Sequence, residues 1–344
     1  RGSGSLVWRE DLTDAERAWL YGVRAHERYA QDQALRIAQT FWGLQQQQHR
    51  LAQARDAVRR AQFVLEQSQA LMDIGKTNAN DVFRAEISLL QARQEEVAVA
   101  AALGSAIDDL KQELALDTTA PVTIDGTAPT RRRQTIDATA ALALASARRT
   151  DLMTARDRVA DAQRGVRLAR LDLLPRLDLA AAYTAAGERP DGDLGETAEW
   201  NAALTLELPL DRREERLSYD RALIALARSE RDAAALRTRV AADVLDAVRE
   251  LSAADASLAI QDRNREQAAR RQEKALLDFR AGVLSNRDLV EAQDEVTRAE
   301  NAWYAALVRW RVAELRLRRD TGALAIAAEG TWDEALPGYA REEP

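Results

Sequence analysis

A segment of this chain occurs twice, about 207 residues apart: Met72 to Val82 (MDIGKTNANDV) returns as Phe279 to Leu289 (FRAGVLSNRDL). Gly75 aligns with Gly282, Asp81 with Asp288, and the apolar residues stay in register. Each copy interrupts a long helical pattern and is followed by heptad-spaced residues, so the sequence is that of one helical hairpin duplicated in tandem. A duplication of this size predicts a pseudo-symmetric assembly.

The flanking patterns are long. From about Asp14 to Leu71 there is no Pro and only Gly22 and Gly43 interrupt, and from about Tyr219 to Phe279 neither residue type occurs. At the helical rise the second run alone would extend on the order of 90 Å, too far for a compact domain. Its apolar and small residues fall at Leu226, Ser229, Ala233, Leu236, Val240, Val244, Ala247, Leu251, Ala254 and Leu258. The extra step of four at Val240–Val244 is a stutter that relaxes a left-handed supercoil toward straight packing. After the second tip, Leu289, Ala292, Val296, Ala299, Trp303, Ala306, Trp310, Ala313 and Leu317 keep strict heptad spacing and alternate large with small. Large knobs facing Ala-sized holes predict close packing. The first copy keeps the frame with Val82, Ala85, Leu89, Ala92, Val99, Leu103, Ala106 and Leu110, although Glu96 intrudes. Two antiparallel hairpins are expected, over 10–117 with a tip near 72–81 and over 211–322 with a tip near 279–288.

The intervening texture differs. Residues 118–137 are rich in Pro, Gly and Thr and read as a linker, and a similar segment, 323–344, closes the chain. A further helix is expected over about Ala138 to Leu171, within 138–174, ending before Pro175. From there to Leu210 the period changes to 2. Leu177, Leu179, Ala181 and Tyr183 alternate with more polar neighbours, as do Trp200, Ala202, Leu204, Leu206 and Leu208, around a hydrophilic loop. Each run is about ten residues, the length of a tilted strand crossing a bilayer. Leu177, Leu179, Leu204, Leu206 and Leu208 would face lipid, and Tyr183 and Trp200, beside the loop, would sit in an aromatic girdle. A soluble hairpin packed on helices is the alternative. In a bilayer a lone hairpin leaves its edges unsatisfied, so the membrane reading requires several copies closing into a barrel.

Composition excludes other classes. The sequence has no Cys, which removes disulfides and thiolate-held metals. Its two histidines, His26 and His49, lie in a polar helical stretch and read as solvated. The net charge is -7 with acids and arginines scattered along the chain, which gives no nucleic-acid footprint. No apolar run reaches the roughly 20 residues of a spanning helix. Neither a Gly-rich phosphate loop nor a clustered catalytic set is present, so no cofactor, no metal and no enzymatic activity are expected. The opening Arg1 to Ser5 reads as a flexible linker. Sliding the second repeat onto the first leaves the residues before Leu208 without a counterpart, so the chain reads as shortened at its N-terminus.

Several motifs occur in a fixed order: Phe279, Gly282, Ser285, Asp288-Leu289, Ala292-Gln293 and Ala299, echoed at Gly75, Asp81 and Ala85; then Arg149-Thr150-Asp151-Leu152 leading through Ala169-Arg170 to Leu174-Pro175; then Leu208-Pro209-Leu210. In these the sequence resembles the TolC family of outer-membrane efflux channels over about residues 10 to 325. The resemblance implies a mainly α fold with a small β part, in which long antiparallel hairpins form an α-barrel and the β-hairpin contributes to a trimeric outer-membrane β-barrel. It implies a homotrimer in outer-membrane lipid, extending into the periplasm of a Gram-negative bacterium. The channel would conduct substrates from a periplasmic adaptor and an inner-membrane transporter to the exterior, by efflux or type I secretion. One strand hairpin is present where the family has two, and three such chains alone would enclose no useful lumen.

The same resemblance assigns the periplasmic gate to Asp288 and Glu291, with Asp81 as the first-repeat counterpart. It assigns adaptor contact to the tips, Gly75, Lys76 and Thr77 with Gly282, Val283 and Leu284. Three-fold symmetry would stack Asp288 and Glu291 into rings of carboxylates. Simple helix capping is the alternative for Asp81 and Asp288, and an ordinary solvated position for Glu291. The rival function is a soluble or peripheral coiled-coil scaffold without a pore, which has no use for two bilayer-length amphipathic strands.

Overall fold

The computed structural model describes residues 4–75, 77–124, 137–186, 197–208, 211–281, 283–327 and 330–332. Its elements are α1 (Gly4–Asp73), α2 (Ala79–Glu113), α3 (Ala138–Arg148), α4 (Thr150–Leu171), β1 (Arg176–Ala186), β2 (Thr197–Glu207), α5 (Arg213–Arg280) and α6 (Asn286–Asp320). The duplication holds to the residue. α2 and α6 are both 35 residues long, and their first and last residues, Ala79 with Asn286 and Glu113 with Asp320, differ by 207 in number. α1 starts at Gly4, so two of the five opening residues read as a linker are helical. The fold is mostly helical with one small sheet, as expected.

The chain forms two compact units, one of residues 1–25 and 150–239, the other of 26–149 and 240–344. This division cuts across the sequence segments 10–117 and 211–322, because α1 and α5 each contribute residues to both units.

In the second unit the heptads meet as the spacing predicts. Ala247, Leu251, Ala254 and Leu258 of α5 pack on Ala306, Leu307, Trp310, Ala313 and Leu317 of α6, with Trp303 partly buried beside them. The guanidinium of Arg265 lies 4.0 Å from the Trp303 ring, a cation–π contact that covers the outer face of that knob. A second stripe of α6, Tyr304, Val308 and Leu315, packs on Leu35, Ala38 and Trp42 of α1. α2 buries Ala85, Leu89, Val99 and Leu110, Ala85 in one cluster with Val64 of α1. Glu96, the intruder in that heptad, is accommodated by an ion pair with Arg55 at 3.4 Å. Higher on α5 the same stripe is only half-buried at Leu226, Ser229, Ala233 and Leu236.

His49 corrects one expectation. It is not a solvated helix position: its ring stacks on Tyr304 with centroids 4.3 Å apart. Burial lowers its pKa below the ordinary imidazole value.

The end of α6 is tied to α1 by polar contacts. Arg28 donates to the Arg319 carbonyl at 2.9 Å, and Gln31 donates to the Leu324 carbonyl at 2.9 Å. Buried Arg318 pairs with buried Glu314 at 2.6 Å. Buried Asp320 pairs with Arg319 at 2.7 Å; desolvation raises its pKa, while Arg319, Arg28 and Arg149 pull it back.

The helix expected over Ala138–Leu171 is two helices. Arg149 breaks it with an extended ψ of 115°, and its side chain is buried. A residue far along the chain packs against this break. Gly322, at φ +68°, is packed so tightly that a Cβ there would stand 3.0 Å from the Arg148 carbonyl carbon and 3.1 Å from the Arg149 nitrogen.

In the first unit α4 meets α1 through charge. Arg164 reaches Glu10 at 2.7 Å and both Asp14 and Asp161 at 2.9 Å, while Asp157 takes Arg24 at 2.7 Å and Arg17 at 3.1 Å. The antiparallel hairpin β1–β2 belongs to the same unit.

Two measurements check this packing. Gly322→Ala should destabilise by about 3 kcal/mol in denaturant titrations, combining left-handed strain with overpacking. Gly75→Ala, equally left-handed at φ +72° but open to space, should cost only about 1 kcal/mol. The second concerns His49. Its folded pKa is depressed, so the unfolded chain takes up a proton near pH 6.5 before the folded one does, and stability falls as pH drops through that region. His49→Phe keeps the stack and should flatten the stability loss between about pH 7.5 and 5.5.

Candidate functional site

Each helix tip is a backbone turn followed by a polar cap. At the first, α1 ends at Asp73 and Gly75 donates its N–H to the Met72 carbonyl at 2.9 Å. Its φ of +72° is the left-handed turn that glycine adopts without a Cβ penalty. At the second, Val283 donates to the Asp278 carbonyl five residues back, at 2.9 Å, as in a Schellman termination. Each following helix opens on a polar cap. Asn78 Oδ1 accepts from the Asp81 N–H at 3.1 Å, and Ser285 Oγ accepts from the Asp288 N–H at 3.4 Å.

The capping alternative for Asp81 and Asp288 is thereby corrected: the caps are Asn78 and Ser285. The aspartates occupy the third helical position, where a carboxylate is favoured by the helix dipole. Thr77 Oγ1 donates to Asp81 Oδ2 at 2.7 Å, Arg84 stands 3.5 Å from Asp81, and Ser285 Oγ donates to Asp288 Oδ2 at 2.6 Å. The spacings Asn-x-x-Asp and Ser-x-x-Asp are the sequence signal for these caps, with the acid as the more conspicuous member of each pair. Asp288 and Glu291 are both exposed and three residues apart, hence on one side of α6.

The tips share support. Val64, Ala85, Ala275, Phe279, Leu289 and Ala292, one or two from each of four helices, form a single cluster against which Leu284 and Val290 pack. Val283, by contrast, is exposed. Lys76 and Gly282 lie outside the described residues.

The strands pair with Leu177 opposite Leu206, Leu179 opposite Leu204, Ala181 opposite Ala202 and Tyr183 opposite Trp200. One face is therefore apolar along its whole length, and the other carries Asp178 opposite Thr205 and Ala182 opposite Asn201. The Tyr183 and Trp200 rings lie 5.2 Å apart at the loop end. Among the described residues this apolar face is uncovered: Leu179 is 74 % and Trp200 80 % exposed, and Leu177, Leu204, Leu206 and Leu208 are exposed too. A soluble hairpin would have packed that face on helices. β2 begins at Thr197 and ends at Glu207, so Leu208 lies just beyond the strand, where Pro209 could donate nothing to a ladder.

The profile of the outer membrane efflux protein family matches residues 141–323, more than half of the chain. The chain belongs to that family. Its place is the outer membrane, its function that of an efflux channel, and the family is one of channels, not of enzymes. None of the curated proteins matches by sequence. Among solved structures the chain is similar to the outer-membrane channel OprN, with 19 % identity over 89 % of this chain and 70 % of that one at a TM-score of 0.70. It is similar to the open state of the MtrE outer membrane channel of Neisseria gonorrhoeae, with 15 % identity over 90 % of this chain and 70 % of that one at 0.71. The outer membrane protein VceC of Vibrio cholerae gives 16 % identity, 87 % and 74 % coverage, and 0.65. Among the described residues no helix is long and apolar enough to cross a membrane.

Removing either cap should loosen its tip alone. Ser285→Ala and Asn78→Ala should each cost about 1 kcal/mol, seen as faster amide exchange in the first turn of α6 or α2 with the α5–α6 core still protected.

Proposed function

We propose that the chain is one protomer of a homotrimeric export duct that takes substrates from an inner-membrane transporter through a periplasmic adaptor and releases them outside. The observation that carries this reading is the pairing of an uncovered, bilayer-length apolar strand face with duplicated helical hairpins in one efflux-family chain. An isolated two-stranded hairpin is marginal in water, so this face is stable only in lipid and beside further strands. The pore-less scaffold has no use for it.

In this duct the tip segments Gly75–Thr77 and Gly282–Leu284 are the adaptor-docking surface, and Asp288 and Glu291 line the periplasmic entrance. Three copies turn these two acids into adjacent carboxylate rings. Such rings attract cations, and their mutual repulsion favours a wider entrance. Asp81, held by Thr77 and Arg84, supplies the matching charge of the first repeat.

Three measurements test the reading. The protein should require detergent for extraction from membranes and sediment as a trimer; release by salt alone would refute the membrane assignment. Gly282→Trp should abolish export in a growth assay with a toxic substrate while trimers persist. Asp288→Asn with Glu291→Gln should lower cation selectivity severalfold in planar bilayers, and unchanged selectivity would remove these acids from the entrance.

A further inference from the structure

Val290, which packs on the four-helix cluster at the tips, also lines a cleft of about 410 Å³ between α1, α2 and α6. That is the size of a small-molecule site. Ala54 and Ala61, both buried, give it an apolar wall together with Ala57 and Ala92. Five charged residues line the same cleft: Arg50, Arg60 and Arg298 with Glu95 and Asp294. Among the described residues none of the five makes an ion pair within 4.0 Å.

Arg60 is half-buried. One of its Nη groups donates to Thr297 Oγ1 at 2.6 Å, and its Nε, shut off from solvent, has no partner. Burial lowers its pKa, and the nearby charge of Asp294 raises it back only in part. A guanidinium so placed, with no carboxylate against it, is a charge whose desolvation is incompletely repaid. On α6 the Oδ1 of Asn301, which also lines the cleft, is buried without a partner. Turned over, that amide presents N–H donors instead. These groups are not part of the duplicated hairpin plan. At the offset of 207, Arg60 corresponds to Gln267, Asp294 to Ile87 and Thr297 to Leu90, so the hairpin itself demands neither the arginine nor its polar neighbours.

We propose that the cleft binds a small organic monocarboxylate, its carboxylate on Arg60 and its apolar body against Ala54, Ala57 and Ala61. Three arginines against two acids leave an excess of one positive charge, which suits a monoanion better than a dianion. A guanidinium presents its donors in a planar fork that matches a carboxylate. Asp294 competes with the ligand for Arg60, so its charge limits the affinity. Every one of these groups belongs to one chain and one compact unit, so the site stands independently of the trimer and export readings above.

Benzoate is the probe, titrated by calorimetry into the full chain in detergent, with benzyl alcohol and benzylammonium as its neutral and cationic counterparts. Benzoate should bind once per chain, and the other two about tenfold more weakly or not at all. Arg60→Gln, which introduces the residue found at the equivalent position of the second repeat, should weaken benzoate about tenfold with unchanged helicity. Ala57→Leu, which fills the cleft and leaves every charge in place, should weaken it as much. Asp294→Asn should tighten benzoate severalfold, a gain that a purely structural aspartate would not produce. Equal binding of benzyl alcohol, or full benzoate affinity in Arg60→Gln, would overturn the pairing with Arg60. Inorganic phosphate binding more tightly than benzoate would overturn the monocarboxylate, and a folded wild-type chain that gives neither heat nor a thermal shift with benzoate would overturn the site.

Discussion

Burial of α6 on two faces is the constraint from which the rest of the helical unit follows. One stripe, through Ala306, Trp310, Ala313 and Leu317, holds it to α5; the other, through Tyr304, Val308 and Leu315, holds it to α1. The second stripe joins the two hairpins along their length, as the four-helix cluster does at the tips. Each large side chain so buried contributes roughly 2 kcal/mol of transfer free energy, and from Tyr304 to Asp320 the interleaving of two stripes leaves Arg309 as the one exposed residue. Glu314 and Arg318 fall between the stripes and are buried, and they are tolerated because they pair with each other.

A helix committed on both sides fixes what its neighbours can do. α5 and α2 each pack one face inside the unit and leave another open, and on both the open face carries apolar residues: Ile260 and Leu277 on one, Phe83, Ile87, Leu90 and Val97 on the other. The β-hairpin behaves likewise, with one apolar face that stays exposed among the described residues. Exposed apolar surface in ordered stripes marks interaction sites. The two kinds of face differ in form: strand alternation presents a smooth apolar wall, whereas heptad spacing presents holes for knobs.

Much of this is legible in the sequence because it is periodic. The repeat register, both tips, the heptads of α5 and α6 and the pairing face of the strands all follow from local spacing. The features that escape depend on residues distant in the chain. Neither Gly nor Pro marks the helix break at Arg149, and the tight approach of Gly322 to it joins residues far apart in the chain. His49 looks solvated beside its run of glutamines until Tyr304 is brought against it from the second repeat. Glu96 looks like a fault in a heptad until Arg55 is opposite. At the tips the hidden feature is local: acids at the third helical position are more conspicuous than Asn78 and Ser285, which form the caps. Lys76 and Gly282, both expected at the tips, are outside the described residues, so the tip surface rests on Thr77, Val283 and Leu284 with their neighbours.

The duplication also explains why a chain this poor in aromatic residues can hold such long helices together. Small Ala residues between the larger core side chains let backbones approach closely, and the few bulky knobs are concentrated on α6, where Trp303, Tyr304 and Trp310 serve two seams at once. α2, the equivalent helix of the first repeat, has the same length and the same kind of cap but no aromatic residue in their place; Glu96, Val97 and Leu103 stand at the positions of Trp303, Tyr304 and Trp310. The knobs are thus concentrated in only one copy of a repeated helix. That asymmetry distinguishes the helix packed on both faces from the one left at an open face, and it makes the two repeats inequivalent in the chain although they share one backbone plan.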